Sequence, residues 1–406
     1  MLSEIPNVYI ALPAMDEFEY LPKVVDCIRN QNYPYIKLVV CINQPDSWWD
    51  NPERKAVCIG NQVSIDYLES LEGIQIEIID KSSKGKGWTA KKEGVGWARK
   101  TIMDKIVNQA NVSDVIMSMD ADTQFNTGYV SSIVENLNQN PTAVAISVPY
   151  YHELTGDEEK DRAILRYEIY MRYFALNLMR IGSPYAFTAI GSAIALPVSS
   201  YKAIGGITPH KSGEDFYFLQ KLGKFGRILT WNEERVYPAA RYSNRVGFGT
   251  GPAMIKGKEG DWSSYPIYPF EYFDDVEATY RLFADLFDAD VPTPLDTFFE
   301  EKFGFENIWK PLRANFKTPQ QFIRACHHKV DAFRVFQYLK WRNTKNQVSD
   351  EGNLIRFLGK LYPLKSATLS FNFRYLKFQE TNIDRLNELR HFFMELEEVY
   401  QKENAL

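Results

Sequence analysis

Two carboxylates separated by one small residue, Asp120 and Asp122 in "MDADT", follow directly on the apolar run "DVIMSM" (114 to 119). On an extended segment residues i and i+2 point the same way, so both acids can aim at one point beyond the strand. Ala121 takes little room between them. Two hard oxygen donors suit Mg²⁺ or Mn²⁺, which keeps waters and takes further ligands from substrate phosphates. Alone, such a step is more often a helix N-cap or a solvated turn. The buried strand in front of it favours the metal reading.

A second acidic pair, Glu214 and Asp215, opens "EDFYFLQKLGKFG" after the loop "GGITPHKSG". A positioned carboxylate is what a hydroxyl nucleophile needs to lose its proton; the plain alternative is two acids favoured in a first helical turn. Glu17 invites that same alternative. Lys84, Lys86 and Lys91 lie in "SSKGKGWTAKKEG" (82 to 94), which is not a Walker A loop. They can reach anionic oxygens or simply be solvated. Arg241 and Arg245 lie in "PAARYSNRVGFGTGPAM" (238 to 254), where guanidinium groups can pair bidentately with phosphate. Gly247, Gly249 and Gly251 would let that loop move. Gly191 and Ser192 are small residues that permit close backbone approach, as tight packing alone would also require. His210 is a polar loop residue.

These groups need a scaffold. Strands are predicted at 8 to 14, 37 to 44, 74 to 80, 114 to 119, 143 to 149 and 188 to 196. Helices are predicted at 17 to 31, 86 to 107, 127 to 139, 159 to 181 and 213 to 226. The alternation implies an α/β fold with a mostly parallel sheet flanked by helices, with ligands beyond the carboxyl ends of the strands. The stretch 238 to 270 lacks periodicity and reads as mostly loop. Helical spacing returns at 271 to 288, 319 to 343, 350 to 361 and 382 to 402. The division expected is a domain over 1–250, a loop or lid and linker over 251–270, and a helical, acceptor-related C-terminal region over 271–406. In 319 to 343, Phe322, Cys326, Val330, Phe333 and Phe336 form a stripe that reads as core-facing, with membrane-surface contact as the alternative. His327 and His328 are adjacent and point apart on a helix.

The chain has 406 residues and a net charge of -5. No broad basic field is present, which argues against nucleic acid as a partner. Cys27, Cys41, Cys58 and Cys326 are widely spaced, with no C-x-x-C pair. That speaks for reduced thiols and a cytoplasmic setting rather than zinc or disulfides. No stretch reads as a signal peptide or reaches the roughly 20 apolar residues of a bilayer span. Peripheral contact with the inner face of a membrane is the alternative setting.

Three blocks, "ALPAMDE", "MDADT" and "GSAIAL…GGI…SGEDFYFLQKLGKFGRI", in this order and spacing resemble the large inverting family-2 glycosyltransferases with the GT-A fold, over about residues 5 to 250. The resemblance implies a nucleotide-diphosphate-sugar donor, a Mn²⁺ or Mg²⁺ ion held by Asp120 and Asp122, and a glycan or lipid-linked acceptor. It makes Asp215 the catalytic base, with Glu214, Gly191 and Ser192 on the acceptor side. Pro13, Ala14 and Glu17 would line the nucleoside. Asn43 stands where an acid is usual and offers an amide to a base edge, with UDP the implied nucleotide. Lys84, Lys86, Lys91, Asp120, Ala121, Arg241 and Arg245 would complete the donor side. A sugar-phosphate nucleotidyltransferase would open on a Gly-rich basic loop after its first strand, where this chain reads "LPAMDEFEY". A non-catalytic carbohydrate-binding protein of the same fold, and a glycosidase with two carboxylates, are the remaining alternatives.

Overall fold

The run "VYIALPA" carries no charge and forms strand β1 (Val8–Ala14), buried along its whole length. The computed structural model describes residues 5–90, 92–210, 213–243, 249–344 and 348–403. They form two compact units, one of residues up to Ile164 with Phe187–Gly260, the other of Leu165–Ala186 with Asp261–Glu403.

In the first unit, β1 is followed by α1 (Leu21–Arg29), β2 (Ile36–Asn43), α2 (Lys55–Glu69), β3 (Gln75–Lys81), α3 (Val95–Val107) and β4 (Val115–Ser118). Then come β5 (Thr123–Phe125), α4 (Tyr129–Gln139), β6 (Ala145–Ser147), α5 (Glu158–Arg180), β7 (Ile194–Pro197), α6 (Val198–Ala203), α7 (Glu214–Phe225), β8 (Ile228–Leu229), β9 (Val236–Pro238) and α8 (Thr250–Lys258). The main sheet runs β3-β2-β1-β4-β7-β6-β8. β1 pairs in parallel with both β2 and β4, whereas β7 runs antiparallel between β4 and β6. The sheet is therefore mixed and mostly parallel, as the alternating pattern predicts. β5 and β9 form a separate antiparallel ribbon.

Several boundaries differ from the periodicity, each for a local reason. Helix α2 carries Asn61 and Ser64 on its buried face, which dilutes its apolar stripe. The helix predicted from residue 86 starts at Val95, because Gly94 at φ 96° ends the preceding loop. The strand predicted over 188 to 196 pairs only over Ile194–Pro197. Helix α8 begins after Gly249 at φ 112°, within a stretch read as loop.

The second unit holds α5 from Leu165 onward, which is most of that helix, and α9 (Glu271–Arg281), α10 (Asp285–Asp288), α11 (Asp296–Phe303), α12 (Trp309–Asn315), α13 (Pro319–Lys329), α14 (Ala332–Asn343), α15 (Asp350–Leu361), α16 (Pro363–Ser366) and α17 (Ile383–Glu403). The predicted helix over 319 to 343 is two helices. Asp331 caps the second by accepting from the Arg334 N–H at 3.0 Å. Phe322, Cys326 and Val330 are fully buried and face a core, whereas Phe333 and Phe336 are half-buried, because the break before the second helix turns Val335, Tyr338 and Leu339 inward instead. His327 packs edge-on against Tyr280 and Phe283, and burial lowers its pKa to about 4. Among the described residues no helix is long and apolar enough to cross a membrane.

A buried charge cluster joins α5 to α17. Arg172 donates to Glu168 at 2.7 Å and pairs with Glu397, while Arg390 lies 3.2 Å from Glu168. Removing one member strands a buried charge. Arg390→Met is expected to cost about 3–5 kcal/mol of stability, read by urea unfolding; a loss under about 1 kcal/mol would mean Glu168 is adequately held by Arg172.

Candidate functional site: two arginines among five acids

After β4 the chain does not continue extended. The Thr123 N–H closes a turn on the Asp120 carbonyl at 3.2 Å, so Asp120 and Asp122 sit on a tight bend. The β5–β9 ribbon pairs Thr123 with Pro238, and the Ala239 N–H donates to the Asp122 carbonyl at 3.1 Å. This lays the segment after β9 beside the acids. Arg241 reaches both oxygens of Glu17 at 2.7 and 2.9 Å and Asp122 Oδ2 at 2.5 Å. Its guanidinium also lies over the Tyr20 ring, 4.4 Å from the centroid.

Asp120 is held from the other side by Arg99 on α3, a residue the motifs do not single out. The Arg99 side chain is only 4% exposed. Its Nη2 donates to Asp120 Oδ1 at 2.5 Å, its Nε to Glu214 Oε1 at 2.9 Å, and its Nη1 to the Gly191 carbonyl at 2.7 Å and to Ser118 Oγ. The sequence did hold a signal. Arg99 falls on the buried face of α3 with Ile102, Met103 and Ile106, and an arginine on an apolar stripe calls for buried acceptors.

The guanidinium also explains Gly191. A Cβ there would meet Arg99 Nη2 at 2.1 Å and Cζ at 2.8 Å. Gly191→Ala must displace the arginine, at about 1–3 kcal/mol for forced overpacking. The expected result is a stability loss of that size together with at least a tenfold loss of turnover. Unchanged turnover would mean that the contact yields freely. Ser192 beside it is buried, and its Oγ has no hydrogen-bond partner among the described residues.

Gly213 at φ 72° turns the chain into α7 and presents Glu214 and Asp215 in its first turn. Glu214 is buried against Arg99. Asp215 Oδ1 accepts from the Phe216 N–H at 2.8 Å. Burial and the neighbouring Glu214 charge raise the Asp215 pKa to about 7, with Asp120 adding to the rise; Arg99 and the Phe216 N–H oppose it. Electrostatics therefore link the two acidic pairs through one arginine.

The other predicted residues are placed as follows. Pro13 and Ala14 end β1, and Ala121 is buried in the bend. The Asn43 amide is engaged inside the protein. Its Nδ2 donates to the Ala14 carbonyl at 3.0 Å and its Oδ1 accepts from Trp88 Nε1 at 3.1 Å. Glu17 is likewise committed to Arg241. Lys86 pairs with Asp80 at 2.9 Å, and Lys84 with Asp50 at 3.4 Å on the surface, where such pairs contribute little. His210 stacks on Tyr217, and its backbone lies where a Cβ on Gly96 would be. Lys91, Arg245 and Gly247 lie outside the described residues. Asp16, at φ 58°, is held in this uncommon conformation by its N–H donating to Asn61 Oδ1 at 2.9 Å. Asn61 in turn donates to buried Gln44 at 2.7 Å. Asn61 and Gln44 fall in none of the blocks quoted from the sequence.

The donor set suits a hard divalent cation to the extent of two carboxylates, Asp120 and Asp122, whose side chains are 34% and 19% exposed. Among the described residues no group of three or more His, Cys, Asp or Glu converges as a metal site. Any cation here would complete its shell from phosphate and water, as Mg²⁺ commonly does.

Residues 88–205 match the model of "Glycosyl transferase family 2". That span holds Arg99, Asp120, Asp122, Gly191 and Ser192. No curated protein matches the chain. Among solved structures, S. aureus TarS 1-349 in complex with UDP-GlcNAc aligns at 13% identity over 96% of this chain and 92% of its own, with a TM-score of 0.39. The mannosyltransferase PcManGT from Pyrobaculum calidifontis, in complex with GDP-Man and Mn²⁺, aligns at 14% identity over 95% and 86%, also at 0.39. The match of residues 88–205 to glycosyl transferase family 2 marks the protein as a glycosyltransferase.

Proposed function

We propose that the protein transfers a sugar, with inversion, from a nucleotide-diphosphate donor of the UDP-sugar type to a hydroxyl of a glycan or lipid-linked acceptor, assisted by a divalent metal. The observation that carries this reading is the single buried guanidinium of Arg99 contacting both Asp120 and Glu214. It draws the two acidic pairs into one cluster at the carboxyl edge of the sheet, where ligands of such folds bind.

In this reading Asp120 and Asp122 would hold the cation, which when bound would neutralise charge building on the leaving diphosphate. Asp215 takes the proton of the acceptor hydroxyl as its oxygen attacks the anomeric carbon. The bond to the diphosphate oxygen breaks on the opposite face, so the configuration inverts. A carboxyl whose pKa lies near 7 is well matched to this task, because the best catalytic base titrates near working pH. Below about pH 7 the carboxylate fraction falls tenfold per unit, so kcat/KM should fall on the acid side with an apparent pKa near 7. A profile flat down to pH 5 would contradict Asp215 as the base. Arg241 is suited to diphosphate oxygens, and Ser192 and Gly191 to the sugar side.

The test is a panel of nucleotide sugars with Mn²⁺ or Mg²⁺ and varied acceptors, following free nucleotide diphosphate. Turnover of one donor that depends on the metal supports the proposal. Donor binding without turnover under every condition points instead to a carbohydrate- or nucleotide-sugar-binding protein of the same fold.

A further inference from the structure

The proposed chemistry requires two distant stretches of chain to hold their carboxylates in fixed relation, and the geometry points to Arg99 as the positioning residue that does so. The inference rests on the transferase reading and adds a residue that the motifs leave out.

Four acceptors surround the guanidinium. They come from the end of β4 (Ser118 Oγ), the bend after it (Asp120 Oδ1), the segment before β7 (Gly191 carbonyl) and the first turn of α7 (Glu214 Oε1). A planar fork with five donors can address several acceptors in fixed directions, which a lysine ammonium cannot. The Arg99 and Glu214 side chains are each 4% exposed, so water has little access to the contact between them. Gly191 is kept bare on the side where Arg99 lies, which shows the backbone shaped around this side chain.

The consequence is directional. Asp120 faces the proposed cation and Glu214 is the immediate neighbour of Asp215. Fixing both with one rigid group fixes the line between leaving diphosphate and base, which an in-line displacement needs. Arg99 touches no reacting atom in this scheme. Its loss should therefore fall on kcat rather than on donor KM.

The experiment uses the full chain carrying Arg99→Lys and Arg99→Met, with two readouts. The first is steady-state transfer by the folded fraction. Arg99→Met is expected to lower kcat by about 100-fold or more with donor KM changed less than about threefold, and Arg99→Lys to recover part of kcat. The second needs no turnover: thermal unfolding of Asp120→Asn, Glu214→Gln and the pair combined. If one guanidinium joins them, the combined shift in Tm differs from the sum of the single shifts, and in an Arg99→Met background the shifts become additive. Near-normal kcat in a folded Arg99→Met enzyme overturns the inference. So do additive Tm shifts in the wild-type background. If the wild type transfers no sugar yet the shifts are coupled, the transferase reading has failed, and Arg99 is reduced to a stabilising contact. If Arg99→Met does not fold, Arg99→Lys decides: an unchanged kcat overturns the inference, and a reduced kcat at unchanged KM supports it.

Discussion

Replacing Asp215 with Asn is expected to lower transfer by about 10²- to 10⁴-fold, the usual share of a positioned general base. Donor affinity should stay within about threefold. Asparagine keeps the shape of the side chain and an oxygen that can accept from the Phe216 N–H, so the start of α7 should persist. It cannot take a proton from a hydroxyl. The change also removes one negative charge beside Glu214, where the charges of neighbouring acids already raise the Asp215 pKa. The variant should thus be no less stable than the wild type, which separates lost chemistry from lost fold. Measured turnover within tenfold of wild type would remove Asp215 from the mechanism.

The second large effect concerns the cation. Chelation should abolish turnover, and added Mn²⁺ or Mg²⁺ should restore it. Asp120→Asn and Asp122→Asn should each lower kcat/KM by roughly three orders of magnitude, since charge stabilisation by a bound metal is worth several kcal/mol and each 1.36 kcal/mol is tenfold. The two variants should differ structurally. Without the Asp122 charge, Arg241 keeps Glu17. Without the Asp120 charge, Arg99 keeps Glu214. Neither guanidinium is left wholly unpaired, so Tm should fall only modestly while activity collapses. Turnover that is indifferent to chelation and to both substitutions would instead mean that Arg99 and Arg241 alone balance the site's charge.

Much of the scaffold was readable because each central strand is a short, nearly continuous apolar run. β1, β2 and β4 lie within a residue or so of their predicted limits. Elements whose buried face is partly polar were not readable, as α2 shows with Asn61 and Ser64. Nor were the short ribbon strands β5 and β9, whose existence depends on a pairing between residues more than a hundred positions apart. The acids of the site were legible as types and spacing. Their partners were not, because Arg241 reaches Glu17 and Asp122 only once β9 has paired with β5, and Arg99 reaches Glu214 only across the sheet edge. Asn43 shows the reverse limit. Its type suggested a base contact, while folding gives its amide to Ala14 and Trp88.

The most direct measurement is a crystal structure of the enzyme with Mn²⁺ and an unreactive analogue of whichever nucleotide sugar it turns over. The account predicts an anomalous peak bridging Asp120, Asp122 and the diphosphate, with the Asp215 carboxylate facing the anomeric carbon on the side away from that diphosphate. A metal bound elsewhere, or an Asp215 directed away from the sugar, would contradict it.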